Sequence, residues 1–321
     1  MKFRTEIAIS QIPSITSSSK ILMIGSCFTE NMNAKLQSYK LPIVYNPFGI
    51  TYNPLSIADQ ITSIYTNRKP KIDVLEEKPY PFAHHGSFRK ETLQETHYAI
   101  DQAWNRAQKM ASSINTCIIT LGSAYAWIRD QKVVNNCHKR PRSEFTRKLL
   151  SVDTIATHLK KALQLIPQNC SILLTVSPVR HIRDGLVENN ISKSTLRLAI
   201  HELEKHIPRV HYFPSFEIMM DDLRDYRFYE DDLLHPSSMA IDYIWQQFQN
   251  HVLSEELEER FHSFDQLHKR LAHRPLHPKS PQFAQFVVKT KYIMTSLQEK
   301  YPDLDWSKEK EALSELTKLS P

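Results

Sequence analysis

The stretch Lys20-Ile21-Leu22-Met23-Ile24-Gly25-Ser26-Cys27-Phe28-Thr29-Glu30 decides the fold. Its four consecutive apolar residues are too few for a helix of their own. They end at a glycine, and a polar segment able to open a helix follows, which predicts a strand buried on both faces leading into a crossover helix. The pattern recurs along the chain. Strands are predicted at Lys20 to Ile24, Pro42 to Tyr45, Cys117 to Leu121, Ser171 to Val176 and Arg209 to Phe213, and helices at Glu30 to Tyr39, Pro54 to Tyr65, Glu91 to Met110, Val152 to Leu165 and Lys193 to His206. Ser151 supplies a capping oxygen for the fourth helix, and the loop Ser192-Lys193-Ser194 reads as the cap of the fifth. Alternation of this kind gives an α/β fold, a three-layer α/β/α sandwich with a mainly parallel five-stranded, flavodoxin-like sheet. Ligands of such sheets sit at the carboxyl ends of the strands.

Two segments depart from the alternation. Tyr125 to Arg129 and Lys132 to Asn136, separated by Asp130-Gln131, read as a small hairpin after the third strand. From Ser254 onward the sequence is charged and helical, punctuated by Pro275, Pro278 and Pro281, so a domain over 1–252 is followed by a helical C-terminal extension over 253–321. The 41 basic and 35 acidic residues are scattered, and the net charge of +6 reads as a mildly basic surface and not as a nucleic-acid footprint. No apolar run is long enough to span a bilayer, and the opening Met1-Lys2-Phe3-Arg4-Thr5-Glu6 leads into no secretory signal. Cys27, Cys117, Cys137 and Cys170 form no disulfide-like framework, so a reduced, cytoplasmic protein is expected.

The chain has only five glycines, and four of them, Gly25, Gly49, Gly122 and Gly185, fall where the predicted strands give way to loops. Ser26, directly after Gly25, stands at a helix start whose free N–H groups favour developing negative charge. A serine nucleophile needs a base. Asp231-Asp232-Leu233-Leu234-His235-Pro236-Ser237 offers one: the Asp232 carboxylate can hold Nδ1 of His235, leaving Nε2 to take the Ser26 proton, with Pro236 opening a helix over Met239 to Phe248. Cys27 is a rival nucleophile, since a thiolate suits a helix start, although its side chain is expected to pack inward. His138, Arg180 and His181 are candidates to line the pocket and bind a substrate oxygen or an anionic substituent. His84-His85 reads as surface loop. Tyr226, Phe228 and Tyr229, after Asp221, Asp222 and Asp225, read as packing for the loop that carries His235. His268, His273 and His277 lack the carboxylate or cysteine that would complete a zinc spacing, so no metal is expected.

Gly25-Ser26-Cys27-Phe28-Thr29 resembles the motif of the GSCFA family, which is similar to the SGNH (GDSL-like) hydrolases. Asn46-Pro47-Phe48-Gly49, Asn136-Cys137-His138-Lys139, Ser177-Pro178-Val179-Arg180-His181, Tyr226-Arg227-Phe228-Tyr229 and Asp232 to Ser237 also resemble family patterns, with Thr29 replacing an alanine. The resemblance implies a serine esterase working through an acyl-serine intermediate with no cofactor. Ser26 would be nucleophile and first oxyanion donor, Gly49 a second donor, and Asp232 with His235 the base pair. The superfamily's asparagine beyond the third strand is absent from Gly122-Ser123-Ala124, and Asn136 would stand in for it. The implied substrate is a small-molecule or carbohydrate ester carrying a short, O-acetyl-like acyl group. Alternatives are an acyltransferase using the same serine and a non-catalytic binding protein of the same fold.

Overall fold

The computed structural model describes residues 4–37 and 40–319. A parallel sheet is formed by β1 (Ile21–Gly25), β2 (Ile43–Tyr45), β5 (Thr116–Leu121), β9 (Ser171–Val176) and β10 (Val210–Tyr212), in the order β2-β1-β5-β9-β10. Numbered among themselves these are strands 2-1-3-4-5, the flavodoxin-like order, with its switch point between β1 and β5. Leu22 and Ile24 of β1 face one layer, formed by α2 (Pro54–Thr66), α3 (Leu93–Ala111), α4 (Val152–Leu163) and α5 (Leu186–His206). Ile21 and Met23 face the other, formed by α1 (Cys27–Gln37) and α7 (Ser238–Val252). Burial of both faces explains why the strands read as unbroken apolar runs.

Smaller elements cap the carboxyl edge. β3 (Asp73–Leu75) and β4 (Lys78–Tyr80) form a hairpin, while β6 (Tyr125–Arg129), β7 (Lys132–Val134) and β8 (Thr146–Leu149) form an antiparallel sheet in the order β7-β6-β8. The expected second hairpin strand stops at Val134 because the N–H groups of Asn135 and Asn136 donate to the Phe82 carbonyl instead. A short α6 (Ser215–Glu217) follows β10, and α8 (Glu255–Leu271), α9 (Pro281–Lys300) and α10 (Ser307–Lys318) complete the chain. Phe261 and Phe264 of α8 share the apolar cluster of α1 and α7. Among the described residues, no helix is long and apolar enough to cross a membrane.

The starts of α1, α5 and α7 differ from the sequence reading. α1 begins at Cys27, before Glu30, so Ser26 is its flanking residue; the predicted end at Tyr39 lies outside the described residues. α5 begins at Leu186, so Ser192-Lys193-Ser194 is helix interior and not a cap. Leu186, Val187 and Ile191 are exposed, so the first turns of α5 lack the one-sided apolar pattern that signals a helix. Pro236 precedes α7 without entering it, and the cap is Ser237, whose side chain accepts from the Ala240 N–H.

Candidate active site

The carboxyl end of β1 is held by backbone geometry. Gly25 has φ +154°, and a Cβ there would lie 2.4 Å from the Thr120 carbonyl oxygen of β5. Only glycine lets the two backbones approach this closely. Asn46, beyond β2, clamps the same residue: its Oδ1 accepts from the Gly25 N–H at 2.8 Å and its Nδ2 donates to the Gly25 carbonyl at 3.2 Å. The start of α1 is thereby fixed at the switch point of the sheet.

Ser26 and Cys27 present themselves differently from expectation. Ser26 is 1% exposed, and its Oγ has no hydrogen-bond partner. Cys27, the first residue of α1, is the half-buried one. Burial pushes the Cys27 thiol up; the N–H groups of Phe28 and of Cys27 itself, with the Lys193 ammonium, pull the other way, and Glu30 adds to the rise. Burial outweighs the helix terminus, so the thiol form is favoured.

The base loop is built as its residues require. Asp232 Oδ1 accepts from the N–H groups of Leu234 and His235, each at 2.9 Å, and Oδ2 accepts from His235 Nδ1 at 2.6 Å. These bonds, the His235 N–H first and its ring second, pull the Asp232 carboxyl down to about 2. An ionised Asp232 keeps the proton on Nδ1 and leaves the Nε2 lone pair outward. The loop is tied down by an isolated bridge between Tyr229 and Pro236, and by the Ser237 N–H donating to the Phe228 carbonyl at 2.8 Å. Phe228 and Tyr229 pack against the core, while Tyr226 is exposed. The His235 side chain is 49% exposed, so the ring is open to substrate and solvent. No hydrogen bond joins Ser26 Oγ to His235.

The remaining candidates separate. The Gly49 N–H, read as an oxyanion donor, donates to the Asn46 carbonyl at 2.7 Å to close the turn that seats the Asn46 clamp, and so has no donor to spare. Asn136 Oδ1 accepts from the His138 N–H at 2.7 Å, and its amide lies beside Gly86. His138 is buried, its Nε2 donating to the Pro81 carbonyl at 3.0 Å among the rings of Tyr80 and Phe82, which makes it support for the β4 segment and not pocket lining. His84, read as surface, is buried and stacks on Phe48 at 4.9 Å. Arg180 sends Nη2 to Met220 Sδ at 3.1 Å, and its N–H donates to the Leu234 carbonyl at 3.2 Å, joining the β9 loop to the base loop. His181 has both ring nitrogens buried without partners, and burial beside Lys193 pulls it down to about 4.

Lys193 is the group the sequence reading missed. It is 2% exposed, and its Nζ donates to the Gly122 and Ser177 carbonyls, each at 2.8 Å, just beyond the carboxyl ends of β5 and β9. A signal existed: Asn189, Ser192, Lys193, Leu196, Ala199, Ile200 and Leu203 form the buried stripe of α5, and the lysine occupies a core register.

The model of the GSCFA family matches residues 20–248, and that of the GSCFA domain protein, C-terminal domain, matches residues 264–318. Comparison with curated proteins found no match.

Proposed function

We propose, from the premise that the chain belongs to the GSCFA family, that it is an SGNH-type acyl-transfer enzyme in which Asp232 and His235 activate a nucleophile at the start of α1. The observation that carries this reading is the 2.6 Å contact between Asp232 Oδ2 and His235 Nδ1 on a loop that leaves the ring exposed. A carboxylate spent on orienting an imidazole, with the opposite nitrogen free, is the arrangement a general base needs.

In the first step His235 Nε2 takes the nucleophile's proton while the nucleophile attacks the ester carbonyl carbon. The oxygen of the tetrahedral intermediate gains its negative charge at the N-terminus of α1. Collapse expels the alcohol, which takes the proton back from His235. Water, or a second hydroxyl compound in the transferase variant, then removes the acyl group by the same steps in reverse order. The substrate class, a short acyl ester of a carbohydrate-like alcohol, rests on the family resemblance and not on a residue of the site.

Ser26 is the nucleophile of the first reading, and it requires a rotation or opening that brings Oγ out of its 1% exposure toward His235. Accessibility favours a second reading with Cys27 in that role, because it is only half-buried and is the first residue of α1. Incubation with p-nitrophenyl acetate, followed by peptide mapping of the trapped acyl group, decides between them. The serine reading expects the adduct and the turnover to disappear in Ser26→Ala and survive in Cys27→Ala; the cysteine reading expects the reverse. Unchanged turnover in His235→Ala would overturn His235 as the base, and no adduct and no turnover in the wild type would leave a non-catalytic binding protein as the better description.

A further inference from the structure

Arg180, in the loop after β9, is a partly buried guanidinium with no carboxylate partner among the described residues. Its Nε is buried without a hydrogen-bond acceptor, and its Nη2 donates to the Met220 sulfur at 3.1 Å. A thioether is a weak acceptor, and a guanidinium cannot shed its charge to suit such surroundings. Carboxylates stand beside Met220 in sequence and in the base loop, yet they are engaged elsewhere. Asp222 accepts from the Tyr243 hydroxyl at 2.5 Å, Asp221 lies 3.7 Å from Arg224, and Asp232 holds His235. A cation left without a counter-charge beyond the carboxyl end of a sheet strand suits an anion that arrives with the substrate.

Its placement fixes which half of the substrate carries that anion. The Arg180 N–H donates to the carbonyl of Leu234, the residue before His235, at 3.2 Å. The guanidinium carbon lies 5.9 Å from the centre of the Tyr229 ring, and Tyr229 bridges to Pro236, the residue after His235. The Tyr229 hydroxyl also reaches Met220 Sδ, at 3.9 Å, so arginine, tyrosine and thioether form one cluster against the base loop. In the collapse step His235 returns its proton to the leaving oxygen, so the alcohol half of the ester lies on the His235 side of the site. We propose that Arg180 is a specificity-determining residue whose guanidinium binds a carboxylate or phosphate on the alcohol half, so that the substrate is the acyl ester of an acidic, carbohydrate-like alcohol. The oxyanion takes the place of the Met220 sulfur as acceptor, and an unbranched methionine side chain is free to give way. Two parallel N–H groups of the guanidinium then match two oxygens of the anion.

This inference rests on the acyl-transfer reading, and its test keeps the two apart. The probes are the acetyl esters methyl para-acetoxybenzoate, which is neutral, para-acetoxybenzoate, which carries a carboxylate, and para-acetoxyphenyl phosphate. The wild type is expected to favour one or both anionic esters over the neutral one by roughly tenfold or more in kcat/KM, the effect of a charge-assisted hydrogen bond. The favoured ester tells carboxylate from phosphate. Arg180→Met should abolish the preference, with the loss in KM and not in kcat, because it removes binding that ground state and transition state share. The bond to Leu234 is made by the backbone and remains in that variant. No preference in the wild type, or the same preference in Arg180→Met, overturns the proposal and leaves the acyl-transfer reading standing. Should Arg180→Met fail to fold, Arg180→Lys keeps the charge but loses the fork, and is expected to cut the preference several-fold; an undiminished preference refutes the proposal. Titration calorimetry with the product alcohols, para-hydroxybenzoate and para-hydroxyphenyl phosphate, needs no turnover. Binding that Arg180→Met weakens roughly tenfold or more, in a protein that cleaves none of the esters, sinks the acyl-transfer reading and leaves the anion site in place. Neither binding nor cleavage sinks both.

Discussion

His235 and Asp232 were legible in the sequence because a three-residue spacing is short enough for local geometry alone to bring carboxylate and imidazole together. Replacing His235 by alanine is expected to lower ester turnover by about three orders of magnitude or more, as removal of a general base does. Asp232→Asn keeps the turn acceptor for the Leu234 and His235 N–H groups but loses the ionised partner of Nδ1, so it should also be impaired while its melting temperature stays near wild type. Equal turnover in all three proteins would sink the base assignment. The nucleophile was less legible, since which of two adjacent side chains faces outward depends on where α1 starts, and that start is set by the Asn46 clamp from the far side of β2. His84 was misread for a related reason: nothing local says that a histidine pair will insert one ring beneath Phe48. Burial pulls His84 down to about 3, whereas in the unfolded chain it titrates near 6.5. Between those values the unfolded chain binds a proton that the folded one refuses, so this contribution to stability is complete above about pH 6.5 and is lost as the pH falls toward 3. His84→Leu should therefore flatten the decline of melting temperature between pH 6.5 and 4; a parallel decline would show that another group governs it.

At the scale of elements, the sheet was readable because its central strands β1, β5 and β9 are buried on both faces and announce themselves by composition alone. The β3-β4 hairpin and β8 were not, because Asp73–Leu75, Lys78–Tyr80 and Thr146–Leu149 are short and hold no run of more than two apolar residues, and are strands only by virtue of their partners. Helix ends show the same division. The end of α4 was placed two residues late, and the structure gives the reason in a residue distant in sequence: Arg209 donates to the carbonyls of Leu163, Ile166, Pro167 and Cys170, closing the helix and the following turn from outside. One guanidinium thus satisfies groups that the α4 terminus and its loop leave unpaired. The early start of α5 has structural weight, because only a continuous helix from Leu186 carries Lys193 to a core position facing the strand ends.

At the scale of the molecule, the C-terminal extension reads in sequence as an appendage, but α8 closes the face of the sandwich that α1 and α7 leave open. Phe261 lies 6.0 Å from the Trp245 ring of α7, and Trp245 in turn stacks on Phe248 at 5.5 Å. Leu257, Phe264 and Leu267 are fully buried alongside, and Trp306, at the start of α10, stacks on Phe264 at 5.3 Å. The strand-like bridge from Ile15 to Leu253, with the Ser254 N–H donating to the Ile15 carbonyl at 3.0 Å, joins the junction to the N-terminal segment. A chain ending at Val252 would uncover Trp245 and Phe248 and delete their partners. With about 1.5–3 kcal/mol for each large apolar side chain returned to water, the loss exceeds about 3 kcal/mol, or roughly 10 °C in melting temperature for a domain of this size. The expected outcome for a 1–252 truncation is thus a protein that melts at least about 10 °C lower or precipitates, with its ester turnover at low temperature retained, because Ser26, Cys27, Asp232 and His235 all lie before the cut. A truncation that melts with the full chain would show that α8 rests on the sandwich without stabilising it. Loss of turnover in a truncation still folded at the assay temperature would instead mean that α8 positions α1, whose first turn bears the candidate nucleophiles.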